Sequence, residues 1–196
     1  MKCLYLKKNT VKEQLQEYKP FLLFLAKFFG TYGVFTAAYE LYLFQSTSLS
    51  LFQVDGFTRL VSEQVQGLLQ GLGYTADLHQ LAKQPAMLLF LEHQPIARIV
   101  EGCNALSVII LFVAFVIAFS GKLKNTIVFI ILGSVLIYVL NVSRIVILSM
   151  AMFRFPEYQD FLHGVVFPLL IYSIVFILWI IWVNKYSFYA SETTTK

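Results

Sequence analysis

The chain has 196 residues, of which 58% are apolar and only 13% charged, and its mean hydropathy is +0.71. A soluble domain of this length cannot bury so much apolar surface, and a disordered chain would have the opposite composition. Two cysteines, Cys3 and Cys103, are too few and too far apart for a disulfide scaffold. The net charge of +4 lies mostly at the ends of apolar runs, which points to a lipid bilayer and not to nucleic acid.

A bilayer core of ~30 Å takes about 20 apolar residues in a helix. In chain order, a basic segment 1–20 holds Lys2, Lys7, Lys8, Lys12 and Lys19. A first predicted span follows over 21–44, with Lys27 and Glu40 inside it. Its apolar stretch is too long for a cleaved signal peptide and no clean small-x-small site follows it, so it is expected to stay as an anchor.

The next segment, 45–101, is too long for an idle loop. Phe57, Leu60, Val61, Val65, Leu68, Leu69 and Leu72 recur at helical spacing, so 57–72 reads as an amphipathic helix that Gly71 and Gly73 can end. Its apolar face has two possible beds, the outer leaflet or the bundle of spans. The runs 87–91 and 96–100, parted by Glu92, His93, Gln94 and Pro95, read as a hairpin.

Three further spans are predicted over 102–119, 126–150 and 162–183, the last ending in the interfacial residues Trp179 and Trp182. The expected fold is therefore an all-α integral membrane bundle of four transmembrane helices. It carries an extracytoplasmic amphipathic helix and a small β-hairpin, within one membrane-embedded domain over 21–183. A tail over 184–196 closes the chain. Lys122 and Lys124, in the link between spans two and three, and Lys185 and Lys196, in the tail, share a side with the basic N-terminal segment. The opposite loops, 45–101 and 151–161, hold Arg59, Lys83, Arg98 and Arg154 against seven acids: Asp55, Glu63, Asp77, Glu92, Glu101, Glu157 and Asp160. Both termini are thus expected in the cytoplasm, and both loops outside.

Polar residues inside a span are costly, and each is a functional hypothesis by default. The third span gathers Asn141, Ser143 and Arg144. Arg144 lies eighteen residues from the cytoplasmic start, roughly 27 Å along the helix, near the outer surface. Asn141 shares its face. A structural alternative is an arginine that snorkels to the interface. Cys103 stands at the outer mouth of the second span. Its alternative is a small buried hydrophobe, but Gly102 allows close backbone approach, and the start of a helix would favour a thiolate. His163 opens the fourth span at the outer face, where it could be a simple interfacial histidine. His79 and His93 have weaker claims.

Together, three spans bring a Cys, an Arg and a His to one depth on one side. Thiolate catalysis needs a nucleophile, a base and a fixed positive charge for the oxyanion, and arginine suits the last role because it keeps its proton. The sequence lacks the Gly-x-Ser-x-Gly and His-Glu-x-x-His elements and an acidic pair within its spans, so other intramembrane hydrolases fit less well.

At Glu101-Gly102-Cys103-Asn104-Ala105, Asn141-Val142-Ser143-Arg144 and His163-Gly164 the sequence resembles the exosortase/archaeosortase family of membrane sorting enzymes. It is most similar to the short form of Bacteroidetes, type F. The resemblance covers about 57–183. Many members carry more spans, and the family often has glycine where this chain has Ala105. The resemblance implies cleavage of a C-terminal sorting signal on exported proteins that carry their own transmembrane helix. Transfer of the new C-terminus to an acceptor molecule, at the outer face of a bacterial inner membrane, would follow. It implies a thioester on Cys103, acid–base work by His163 and oxyanion or carbonyl binding by Arg144, with Asn141, Asn104 and Glu101 orienting. No cofactor or metal is expected. The competing expectation is a non-catalytic scaffold or assembly factor for exported polysaccharide or surface proteins, in which Arg144 pairs with Glu101 or Asp160.

Overall fold

The computed structural model of the chain describes residues 11–48, 53–119 and 121–187, and side chains of the first helix from 18 to 45. Cys3, the first three lysines and the polar tail lie outside the described residues. The fold is mostly helical, with one small antiparallel sheet. Helix α1 (Val11–Ser48) is followed by α2 (Gly56–Gly71), strands β1 (Ala76–Gln80), β2 (Ala86–Leu91) and β3 (Gln94–Val100), and a 3-10 turn, Glu101–Cys103. Then come α3 (Leu106–Ala118) and α4 (Leu123–Arg154). A short α5 (Gln159–Phe161) runs through a π-helical stretch, Leu162–Val166, into α6 (Phe167–Ile181).

Three helices are long and apolar enough to cross a membrane: Tyr18–Gln45, Leu123–Arg154 and Pro156–Tyr186. The segment predicted as the second span is helical only over Leu106–Ala118, 13 residues, or about 20 Å. That is shorter than a bilayer core. Its upper part is a 3-10 turn and a left-handed residue, Ala105 (φ 67°). Cys103 therefore does not start α3, the condition on which a helix end would favour its thiolate, but precedes it by three residues.

The predicted amphipathic helix and hairpin are both present, and each differs in detail. Asp55 caps α2, its Oδ1 accepting from the Phe57 and Thr58 amides at 3.0 Å. Only one side of the apolar stripe is buried: Val61, Val65 and Leu69 pack with Thr58 and Ser62, while Phe57, Leu60, Leu68 and Leu72 stay exposed. The hairpin turns on Glu92 and His93, both at positive φ (50° and 64°), the backbone of a two-residue type I′ turn. Gln94 and Pro95 belong to β3. A third strand, β1, pairs with β2 from Ala76↔Leu91 to Gln80↔Met87.

Two apolar cores divide the molecule, and α4 serves both. Val142, Ile145 and Val146 join Val61, Val65 and Leu69 of α2 and Leu89, Leu91 and Ile99 of the sheet. Farther down α4, Ile137 joins Phe112 and Val116 of α3, Val175 of α6 and Trp182. The second core closes tightly: a Cβ on Gly133 would meet the Phe112 ring. Gly133→Ala should therefore destabilise the protein by about 1–3 kcal/mol through overpacking. Thermal unfolding in detergent should show the drop, and an unchanged midpoint would place Phe112 elsewhere.

The change of core along α4 falls between Ile137 and Val142, where Asn141 is buried. Its Nδ2 donates to the Cys103 carbonyl at 2.6 Å. At the other end, the Trp182 indole N–H donates to the Phe119 carbonyl at 2.9 Å, and Phe119 packs on Phe24 of α1 with ring centroids 4.5 Å apart. Near the upper level, Asn104 Nδ2 donates to the Tyr39 hydroxyl at 2.8 Å. Two levels of contact thus tie α1, the 103–119 segment and its neighbours together. From Leu123 to Asn141 along α4 is about 27 Å, and from His163 to Trp182 about 28 Å.

Candidate functional site

Each of the three residues singled out in the sequence reaches its place for a local reason. Cys103 ends the 3-10 turn that continues β3, and Asn104 fixes the next step. The Asn104 side chain is buried. Its Oδ1 accepts from the amide of Leu106, the first residue of α3, at 3.0 Å, and its Nδ2 reaches Tyr39 and, at 3.3 Å, Thr58 Oγ1 of α2. Asn104 therefore ties α1 and α2 to the head of α3. Asn141 holds the backbone of Cys103 and leaves its thiol untouched.

Gly102, expected to permit close backbone approach, does not: a Cβ there would meet nothing within 4 Å, and its φ is not positive. The residue that carries an unusual backbone is Ala105. Its left-handed conformation costs a non-glycine residue roughly 1–2 kcal/mol, and it is the position at which the resembled family often has glycine.

Arg144 lies one helical turn past Asn141 on α4. Its Nε is buried and has no hydrogen-bond partner, and among the described residues no acid pairs with it. His163 lies in the π-helical stretch ahead of α6. Pro168 accounts for that stretch. It has no N–H for the carbonyl of Gly164, and its ring crowds that carbonyl. The turn widens, and the Phe167 amide donates to Leu162 instead.

These elements enclose a cavity of about 260 Å³. Cys103, Arg144 and His163 all line it. Its remaining wall comes from Ile96–Ile99 of β3, from Ile145, Leu148, Ser149 and Met152 of α4, and from Gln159. His79 does not line it and stacks edge-on against Phe90 at 5.0 Å. His93 lies in the β2–β3 turn, away from it. Of the residues expected to orient, Asn141 and Asn104 position the chain around Cys103 from behind. Glu101 faces Asp55 and Glu40, and no wall of the cavity includes it.

Burial raises the Glu101 carboxyl above its ordinary value, and the negative charges of Asp55 and Glu40 raise it further. A carboxyl whose pKa is raised by folding stabilises the fold fully below its unfolded pKa, and that contribution is lost as pH rises through the folded value. Relative to Glu101→Gln, the wild type should lose thermal stability as pH climbs from below the ordinary carboxylate range to neutrality. Unfolding midpoints in detergent across that window should diverge, and parallel curves would contradict the charge cluster.

The β3 wall was not foreseen in the sequence: Ile96–Ile99 read only as hairpin. Arg98 belongs by sequence to the outer loop 45–101, and nothing in the sequence shows that it lines the same cavity as Arg144. No protein-family model, no curated protein and no solved structure matches this chain.

Proposed function

We propose that the chain is a membrane-embedded cysteine peptidase or transpeptidase of the exosortase kind, cleaving a C-terminal signal of exported proteins at the outer face of the membrane. The carrying observation is that Cys103, Arg144 and His163, from three elements distant in sequence, open onto one cavity. The Arg144 Nε, buried and without a hydrogen-bond partner among the described residues, is a donor available to a ligand in the cavity. The scaffold alternative in which Arg144 pairs with Glu101 or Asp160 finds no such pair among the described residues, and the alternative of an anchoring arginine is the one that Arg144→Lys tests.

Four crossings fit this reading. The 103–119 segment runs beside α4, with the Cys103 carbonyl on Asn141 and Phe112 against Gly133 and Phe129, and Phe119 reaches Trp182 past its lower end, which supports reading it as a crossing. A span can begin in non-helical backbone where protein shields it, and Asn104 and Asn141 supply that shield. Both termini then face the cytoplasm, in keeping with the lysine distribution.

In the reaction, the Cys103 thiolate attacks the scissile carbonyl carbon. The developing oxyanion is held by the Arg144 guanidinium. His163 takes the thiol proton and returns it to the leaving amine as the C–N bond breaks. This leaves the N-terminal part of the substrate as a thioester on Cys103. Attack by an acceptor amine or by water on that thioester, with His163 removing the nucleophile's proton, releases the product and restores the thiol. A substrate anchored by its own helix presents its scissile bond at the level of the cavity.

The test is to isolate the protein from its native membrane after acid quenching and search by mass spectrometry for a substrate fragment on Cys103. A thioester that hydroxylamine releases is expected. An unmodified Cys103 under conditions where exported proteins are being processed would overturn the proposal.

A further inference from the structure

The sheet has the order β1-β2-β3, so β3 is paired with β2 on one side only. Among the described residues, no backbone hydrogen bond leaves the other edge of β3. Pro95 stands in β3, and proline within a sheet is confined to edge strands, strand starts and bulges. The cavity touches Ile96, Ala97, Arg98 and Ile99, four residues in a row. Side chains of a strand alternate between its two faces. A cavity that meets every residue of a run therefore lies along the strand's edge and not against one face. Four residues of strand extend about 13 Å, and the strand runs on through Val100 into the turn that holds Cys103.

From these observations we infer that the cavity takes its substrate as an extended peptide that adds a fourth strand to the sheet at the free edge of β3. The inference rests on the peptidase reading and deepens it. A row of unpaired N–H and C=O groups is satisfied fully by another extended main chain. A lipid tail offers it no hydrogen bonds, and a helical peptide has spent its own. The opposite wall, Leu148 and Met152 of α4, offers apolar contact to side chains of the added strand. Arg98, tethered to Gln84 Oε1 at 2.8 Å, places a charge on the edge of the kind that discourages unwanted pairing. Main-chain pairing fixes the register of the added strand, and that register sets which peptide bond stands at Cys103.

The test uses the full chain in detergent micelles and a probe, an acetylated and amidated hexapeptide of alternating threonine and valine. Two isomers of the probe carry N-methyl groups on one or the other alternate set of amides. The first readout is amide hydrogen exchange over 96–100, made in Cys103→Ala protein so that it is independent of any chemistry. The second is the rate at which a membrane-impermeant maleimide modifies Cys103 in Cys3→Ala protein. The unmethylated probe should slow exchange at alternate amides of β3 and slow Cys103 modification by about tenfold, equivalent to ~1.4 kcal/mol of protection. One N-methyl isomer should keep both effects and the other lose both. Retention by both isomers, or loss by both, overturns strand addition. So does exchange over 96–100 that slows with protein concentration alone, which would mean that a second copy pairs with the edge. If exchange follows the expected pattern and no adduct ever forms on Cys103, the edge stands and the peptidase chemistry falls.

Discussion

Cys103→Ala is expected to leave the protein in the membrane at its normal level and to abolish processing of exported proteins. The structure separates the two effects. What Cys103 gives to the fold is its carbonyl, which accepts the Asn141 amide, and a partial packing of its side chain on the core of α2, the sheet and α4; alanine supplies the same carbonyl and keeps the Cβ. What it gives to the cavity is its sulfur, and alanine removes that. Loss of the nucleophile leaves no covalent route. The check is the amount of cleaved product in cells at matched membrane level of the two proteins. Full processing by the alanine variant would end the thiol mechanism.

Arg144→Lys is the second large effect. An arginine that anchors at an interface needs charge and length, and lysine has both. An arginine that binds an oxyanion needs a planar fork of donors, which lysine lacks. Removal of one oxyanion donor typically costs about 10²–10³ in rate. The lysine variant should therefore fold and insert normally, since no partner of Arg144 is lost, yet process substrate slower by that factor. His163→Ala should be inactive as well, because thiol and leaving amine lose their proton carrier. Near wild-type processing by Arg144→Lys would reduce its role to anchoring.

Much of this arrangement was legible in the sequence. Apolar runs of length 20 and more announce long helices, and α1, α4 and the helix through α6 follow. The one shortfall is α3, where composition counts Gly102–Ala105 as span although Asn104 spends its polar groups on the Leu106 amide and on Tyr39 and Thr58. Hydropathy cannot see that a polar residue will find partners on two other elements. The hairpin is legible in its two apolar runs, the second partly β-branched, but β1 is not. Ala76-Asp77-Leu78-His79-Gln80 alternates as a strand should, yet it is short and holds only two apolar residues. Periodicity alone does not choose lipid or protein as the bed of α2, and the structure gives one flank of the stripe to the sheet and α4 and leaves the other exposed. Of the site, Cys103, Arg144 and His163 were found because charge or reactivity is rare at that depth. The β3 wall was missed because its contribution is backbone, and every residue carries the same backbone.

The widened turn ahead of α6 has a consequence for phase. A π turn adds one residue to a helix, so residues before it are offset by about 100° from the pattern that follows. The apolar positions of α6 that meet the bundle, Phe167, Ile171 and Val175, therefore keep time with one another, while His163 keeps a separate time. Carried upward at regular α-helical pitch, the same stripe would aim position 163 differently. The extra residue lets the lower helix pack for its neighbours and the histidine turn toward the cavity without either setting the other. Deleting a single residue from 164–166 would bring the two back into step, and it would swing His163 by up to about a quarter of a turn while leaving the composition of the span almost unchanged.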